Sequence, residues 1–172
     1  SSNNHYSYAY FMAGFLYHIL NDIKNAIHYY KESSSLKRCF AKNNLGVIYK
    51  NCESYKNIDL AILYFEEAIK YTKYLVPLYN LANLYFFSDE IDNNLIKTIE
   101  LLVNCKQRNF YIDELLCLAS MMEFGFDIDV IKEELDKYDK NVSRQICELI
   151  KRNNLYDNVE FEQLYNLHKE YV

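Results

Sequence analysis

The chain reads as all-α, a stack of antiparallel helix hairpins, and three observations carry that reading. Glycine (3) and proline (1) are scarce among 172 residues, whereas sheets with many tight turns draw on both. Apolar residues recur at helical steps of three and four throughout. One phrase is also written twice, NNLGVIY at 43–49 and YNLANLY at 79–85. Self-similarity with a period in the thirties is the mark of a helical solenoid.

Each hairpin has a first helix with a small residue in its apolar stripe and a second helix with a small–large–small trio. The first stripes run Tyr10, Ala13, Gly14, Tyr17; then Ala41, Leu45, Ile48, Cys52; then Leu78, Leu81, Ala82, Tyr85. The trios are Ala26, Tyr30, Ser33; Ala61, Phe65, Ala68; and Thr98, Leu102, Cys105. Overlaying Gly14, Gly46, Ala82 and Ala119 (in CLASMM) spaces the units by 32, 36 and 37 residues. The fourth unit replaces the trio with Ile131, Leu135 and Tyr138. We therefore divide a single domain, 1–172, into repeats at 8–39, 40–75, 76–110 and a divergent 111–140, with a C-terminal capping hairpin at 141–172. The small residues have a packing purpose. Glycine inside a helix costs about 1 kcal/mol, and close approach of the second helix offsets it at Gly14 and Gly46. The tyrosine three residues later (Tyr17, Tyr49, Tyr85) is expected to fill the gap between hairpins. A lone hairpin leaves one apolar face bare, so stacking is required.

Helix ends are also written in the sequence. Pro77 suits a first turn, where a missing N–H is harmless. Asp59, and Asp127 with Asp129 after the turn at Gly125, are expected as caps. The tail predicts a helix at about 142–152, with Val142, Ile146, Leu149 and Ile150 inward. A second helix at about 158–171 has Phe161, Leu164, Tyr165 and Leu167 as its stripe. A divergent end is what a solenoid needs to cover its last open face.

Composition excludes several function classes. The formal charge is −5 and no basic run reaches five residues, which argues against nucleic acid and an anionic membrane surface. The longest uncharged apolar stretch, 6–20, is shorter than the ~20 residues of a membrane span and lacks the basic start of a signal peptide. The chain opens on Ser1-Ser2 and not on Met, which suits a piece of a longer protein. Cys39, Cys52, Cys105, Cys117 and Cys147 are odd in number with no CxxC pair. We read them as reduced, buried thiols of a cytoplasmic protein, the cytosol being a host's if the source is a parasite, bacterium or virus. His5, His18, His28 and His168 offer no i, i+4 zinc pair, although His18 and His28 could meet across one hairpin. Three isolated glycines make no phosphate loop. The pairs Glu66-Glu67 and Glu133-Glu134 read as solvated surface. No catalytic residue, metal or cofactor is expected.

With these motifs in hand, the sequence resembles the tetratricopeptide-repeat superfamily, including its Sel-one-like branch. The second unit carries the resemblance best, in NNLGVIY and DLAILYFEEAIKY; the first, MAGFLYHILNDIKNAIHYYKES, has the tetratricopeptide turn spacing. The longer turns of the second and third units resemble the Sel-one-like type without its loop glycines. The resemblance spans roughly 8–138. It implies a right-handed superhelix whose first helices line a concave groove for protein–protein contact. The groove positions it implies are Phe11, Phe15 and His18; Asn43, Val47 and Lys50; Tyr79, Asn83 and Phe86; and Leu116, Ser120 and Glu123. Asn44 and Asn80 lie one step round the helix. Some family members clamp a C-terminal carboxylate, but Phe11 and Phe15 occupy the relevant places here.

These positions have chemical content. Asparagine both donates and accepts, so a ladder of Asn43, Asn44, Asn80 and Asn83 could pair with a peptide backbone, and the aromatics could form pockets. The competing reading makes the asparagines solvated surface and the aromatics packing. The function expected is a non-catalytic module binding a peptide or helical segment of another protein. The alternatives are an accessory region of a larger enzyme or effector, and a scaffold that self-associates through its apolar N-terminal hairpin.

Overall fold

The structure is a computed structural model describing residues 2–35 and 39–170, with side chains from His5 onward. Val172 and Tyr171, the last residues of the expected capping hairpin and tail helix, lie outside the described residues. Among the described residues there are ten α-helices, one short 3-10 turn at Glu53–Tyr55 and no strand. The chain forms two compact units, Ser1–Leu81 and Ala82–Val172.

In the first unit α1 (Ser2–Ile19) packs on α2 (Ile23–Ser35), α2 on α3 (Cys39–Asn51), and α3 on α4 (Ile58–Lys70). This is the packing order of a helical-repeat solenoid. The unit ends inside α5 (Val76–Phe87). Both hairpins are antiparallel. Ser33 Oγ donates to the Ser7 carbonyl at 2.8 Å, and Ser7 Oγ returns a bond to the Ser33 carbonyl at 3.4 Å. Nearer the turn, Tyr17 stacks on Tyr29 with ring centres 5.3 Å apart. The second hairpin repeats the device: Tyr49 stacks on Tyr64 at 5.6 Å. Tyr17 and Tyr49 thus brace their own hairpins; Tyr49 also meets the preceding hairpin, with Lys31 Nζ of α2 6.0 Å from its ring centre, as expected of a residue between hairpins, whereas Tyr17 stacks within its own. The small–large–small reading holds in the first two hairpins, whereas in the third trio Cys105 lies past the end of its helix at Val103 and is part-exposed. A Cβ on Gly14 would lie 2.7 Å from Tyr30 Cδ1, and one on Gly46 would lie 2.6 Å from Phe65 Cε1. Ala26, Tyr30, Ala61, Phe65 and Ala68 are fully buried.

Turn chemistry sets the helix starts. Asp22 accepts from the Asn25 amide at 3.2 Å at the head of α2. Asn57, and not Asp59, caps α4 through the Leu60 amide at 2.9 Å; Asp59 falls inside the first turn. Asn21 takes φ 59° between α1 and α2, a left-handed turn that asparagine tolerates.

The second unit holds the end of α5 and α6 (Asn94–Val103), α7 (Phe110–Phe124), α8 (Ile128–Asp136), α9 (Lys140–Arg152) and α10 (Asn158–Glu170). Helix α7 is its axis, packed by α6, α8, α9 and α10. Its run Leu115 to Met121 is wholly buried, as expected of a helix surrounded on all sides. Caps come from Asn109 to the Ile112 amide, Asp127 to the Asp129 amide, and Asp139 to the amides of Asn141 and Val142. Gly125, at φ 86°, ends α7 in a backbone state that disfavours any side chain. Helix α9 buries Val142, Ile146, Leu149 and Ile150 as expected. Two expectations need correction. Tyr138 lies past the end of α8 and is exposed. On α10 the wholly buried side chain is His168, whereas Leu167 is exposed.

Candidate functional site

The site is built on the first helices of the hairpins. On α1, Phe11, Phe15 and His18 follow steps of four and three, so they share a face. On α3 the same spacing aligns Phe40, Asn43 or Asn44, Val47 and Lys50. The two faces meet: Phe11 and Phe40 rings lie 6.4 Å apart, and Phe40 reaches Tyr74 at 5.4 Å. Phe11 also lies 6.0 Å from Tyr30 of the hairpin interior. A row of aromatic rings, Phe11–Phe40–Tyr74, therefore crosses the unit. Phe15, Phe40 and Tyr74 are 42%, 44% and 65% exposed.

Beside this row runs a chain of amides. Asn80 Nδ2 donates to Asn43 Oδ1 at 2.9 Å, Asn43 Nδ2 donates to Asn44 Oδ1 at 3.5 Å, and Asn44 Nδ2 donates to the Tyr30 hydroxyl at 3.0 Å. Three of the four asparagines singled out in the sequence thus bond to one another. Asn43 is buried, while Asn44 and Asn80 stay part-exposed, leaving amide capacity on the surface. Burial raises the Tyr30 phenol, and the Asn44 bond partly offsets that. Tyr79 and Val47 are part-exposed on the same helices.

The charges on this face are few. His18 sits edge-on to Tyr30 at 6.1 Å, and burial lowers its imidazole. His28 instead packs against Tyr29. Lys50 is part-buried, which pushes its ammonium down from the ordinary lysine value. The other lysine of α3, Lys42, pairs with Glu67 and lies over the Tyr71 ring at 5.1 Å.

In the second unit the remaining positions are covered. Phe86 is buried, with Tyr165 of α10 at 6.0 Å, and Phe87 touches the same ring at 5.5 Å. Asn83 is 1% exposed, and neither of its amide atoms finds a partner. Leu116 and Ser120 are fully buried in α7, whereas Glu123 is exposed. The same helix, α10, brings His168 Nε2 within 3.3 Å of Glu114 Oε2. Desolvation raises Glu114 to about 7 and lowers His168 to about 4.

Sequence reasoning missed Phe40 and Tyr74. Phe40 was within reach, because it stands one turn before Asn43 on the same face. Tyr74 lies in the connection before α5, where no periodicity points to it. All five cysteines are unpaired, with Cys117 and Cys147 buried and the rest part-exposed. Among the described residues no cluster of three metal-ligating side chains occurs, and no helix is long and apolar enough to cross a membrane.

A family model described as tetratricopeptide repeat matches residues 7–38, the first hairpin with its glycine, its tyrosine stack and its serine pair. No curated protein matches the chain, and no solved structure does.

Proposed function

We infer that this chain, a member of the tetratricopeptide-repeat superfamily through the match at residues 7–38, is a non-catalytic module that binds a peptide or helical segment on the first-helix face of its first unit. Such repeats are generally protein–protein interaction modules. The observation that carries the reading is the row Phe11–Phe40–Tyr74. Those rings touch one another yet two of them stay largely exposed, and part-exposed aromatic anchors commonly dominate binding surfaces. Asn44, Asn80 and Tyr79 would meet the ligand backbone, and Phe15, His18, Val47 and Lys50 would line the rest. Asn43 would act by holding Asn44 and Asn80. Asn83 and Phe86 would support the second unit, since α10 already covers Phe86.

The test is selection of displayed random dodecapeptides on the intact chain, followed by anisotropy with the labelled winners. The expected result is low-micromolar binding, lost by at least tenfold in Phe40→Ser/Tyr74→Ser with an unchanged circular dichroism spectrum. Peptides that bind the double variant as tightly would sink the reading. A cytoplasmic setting is the one we propose, supported by five unpaired thiols.

A second reading, self-association through α1, is favoured by one observation. Tyr8, Leu16, Ile19 and Leu20 are 53–73% exposed on that helix and its end, an unusual apolar density for a free surface. Light scattering at two concentrations separates the two readings: a mass that doubles with concentration supports association, and a constant monomer mass removes it.

A further inference from the structure

We propose that the segment taken by this face is acidic, with an apolar side chain seated against Phe40 and a side-chain carboxylate of the same segment paired with Lys50. The inference rests on the peptide-binding reading above and specifies its ligand.

Charge distribution is the first argument. The chain carries 24 Asp and Glu and a net charge of −5. Yet α1, α3 and the part of α5 in the first unit, residues 76–81, contain not one carboxylate. Acidic residues of the unit's α-helices fall on the second helices instead, as Glu32 on α2 and Asp59, Glu66 and Glu67 on α4, while Asp22 and Glu53 lie in the turns that follow α1 and α3. An acidic protein has thus kept one face clear of its own prevailing charge. A basic ligand would find no counter-ion on these helices, and an acidic one meets no repulsion from them.

Lys50 is the second argument. Helix α3 has two lysines, and Lys42 is satisfied internally by Glu67. Lys50 has no acidic partner among the described residues, although it is part-buried on the face that carries Phe40 and Val47. An ammonium partly shielded from water and without a counter-ion is costly, and a ligand carboxylate supplies the missing half of a charge-assisted bond. The cost is visible in the lowered proton affinity of that ammonium.

The helix fixes the spacing. Phe40 and Lys50 are ten residues apart, about 15 Å along α3. An extended ligand covers that in about four to five residues at ~3.3 Å each. The ligand signature is therefore an aromatic or aliphatic residue with Asp or Glu four or five positions away. A free C-terminus is not required, because the pairing uses a side chain.

The same dodecapeptide selection, run at 50 mM salt, tests this. Winners should carry the spaced apolar–acidic pair. Replacing their Asp and Glu by Asn and Gln should weaken binding roughly tenfold, the scale of one charged hydrogen bond. Lys50→Arg should keep the affinity, Lys50→Glu should lose about tenfold, and raising salt to 300 mM should weaken the wild type but not Lys50→Glu. Winners that need Phe40 but are neutral or basic, or that bind Lys50→Glu equally well, overturn the acidic ligand and leave the peptide-binding face standing. Winners indifferent to Phe40 overturn both. Equal binding of a labelled dT12 oligonucleotide would show that any polyanion suffices, and would also overturn the inference.

Discussion

A Cβ placed on Gly46 would stand 2.6 Å from Cε1 of Phe65, a ring with no exposed surface. The two residues meet across the second hairpin, and neither has room to retreat. Gly46→Ala gains about 1 kcal/mol of helix propensity, but overpacking a closed core costs about 1–3 kcal/mol. The expected balance in urea denaturation is a net loss of up to about 2 kcal/mol. Gly46→Ala/Phe65→Leu should lose less than the sum of the two single changes, because the smaller side chain makes room for the methyl group. Gly14→Ala against Tyr30 should behave in the same way.

The amide chain makes opposite predictions at two asparagines. Asn80→Ala removes the donor to Asn43, which is buried, and should cost about 1 kcal/mol. Asn83 has no partner at either amide atom, so Asn83→Leu, similar in volume, should be neutral or stabilise by about 1 kcal/mol. Thermal unfolding of the two single variants reads the difference in sign.

The Glu114–His168 contact predicts an unusual pH profile. Burial raises Glu114 from 4.5 to about 7, so its contribution is present below pH 4.5 and is lost as pH rises to 7. Burial lowers His168 from 6.5 to about 4, so its contribution is present above pH 6.5 and is lost as pH falls to 4. Between pH 4.5 and 6.5 the folded and unfolded states each hold one proton on this pair, and the two slopes cancel. The urea midpoint should be flat there for this pair and fall between pH 6.5 and 7.5. His168→Gln leaves Glu114 alone, so its midpoint should decline steadily from pH 4.5 to 7. Glu114→Gln should instead rise from pH 4 to 6.5 and then level off.

Arg108 ties two helices of the second unit. Its Nη1 donates to the Leu102 carbonyl at 2.7 Å at the end of α6, and its Nε donates to Asp113 Oδ1 at 2.7 Å in α7. Both partners are shielded from water in part, so Arg108→Ala should cost about 1–3 kcal/mol. Arg108→Lys should recover less than half, because an ammonium cannot donate in two fixed directions. Chemical denaturation of the three proteins checks both statements.

Much of this was legible in the residues, and the reason is local. Gly14, Gly46 and the trios Ala26–Tyr30–Ser33 and Ala61–Phe65–Ala68 declare themselves because small-against-large packing recurs at one helical spacing. What the sequence hid depends on contacts distant along the chain. His168 reads as a polar residue near the end of an exposed helix, and only the docking of α10 on α7 buries it against a residue fifty-four positions earlier. The asparagine ladder was visible as a list of positions. That Asn80 would bond Asn43 required knowing how α5 lies against α3. Tyr17 was assigned to the neighbouring hairpin because a helical stripe names a face without saying which ring will lie flat against it.

Tyr30 carries a consequence for how this surface can change. Its ring fills the notch left by Gly14, and its hydroxyl ends the chain of side-chain amides from Asn80. The proposed binding face and the scaffold therefore share one phenol, and mutations at 43, 44 and 80 will be epistatic with the interior. Anyone diversifying the protein into a binder library should hold those three fixed and randomise 15, 40 and 74, the exposed aromatic positions.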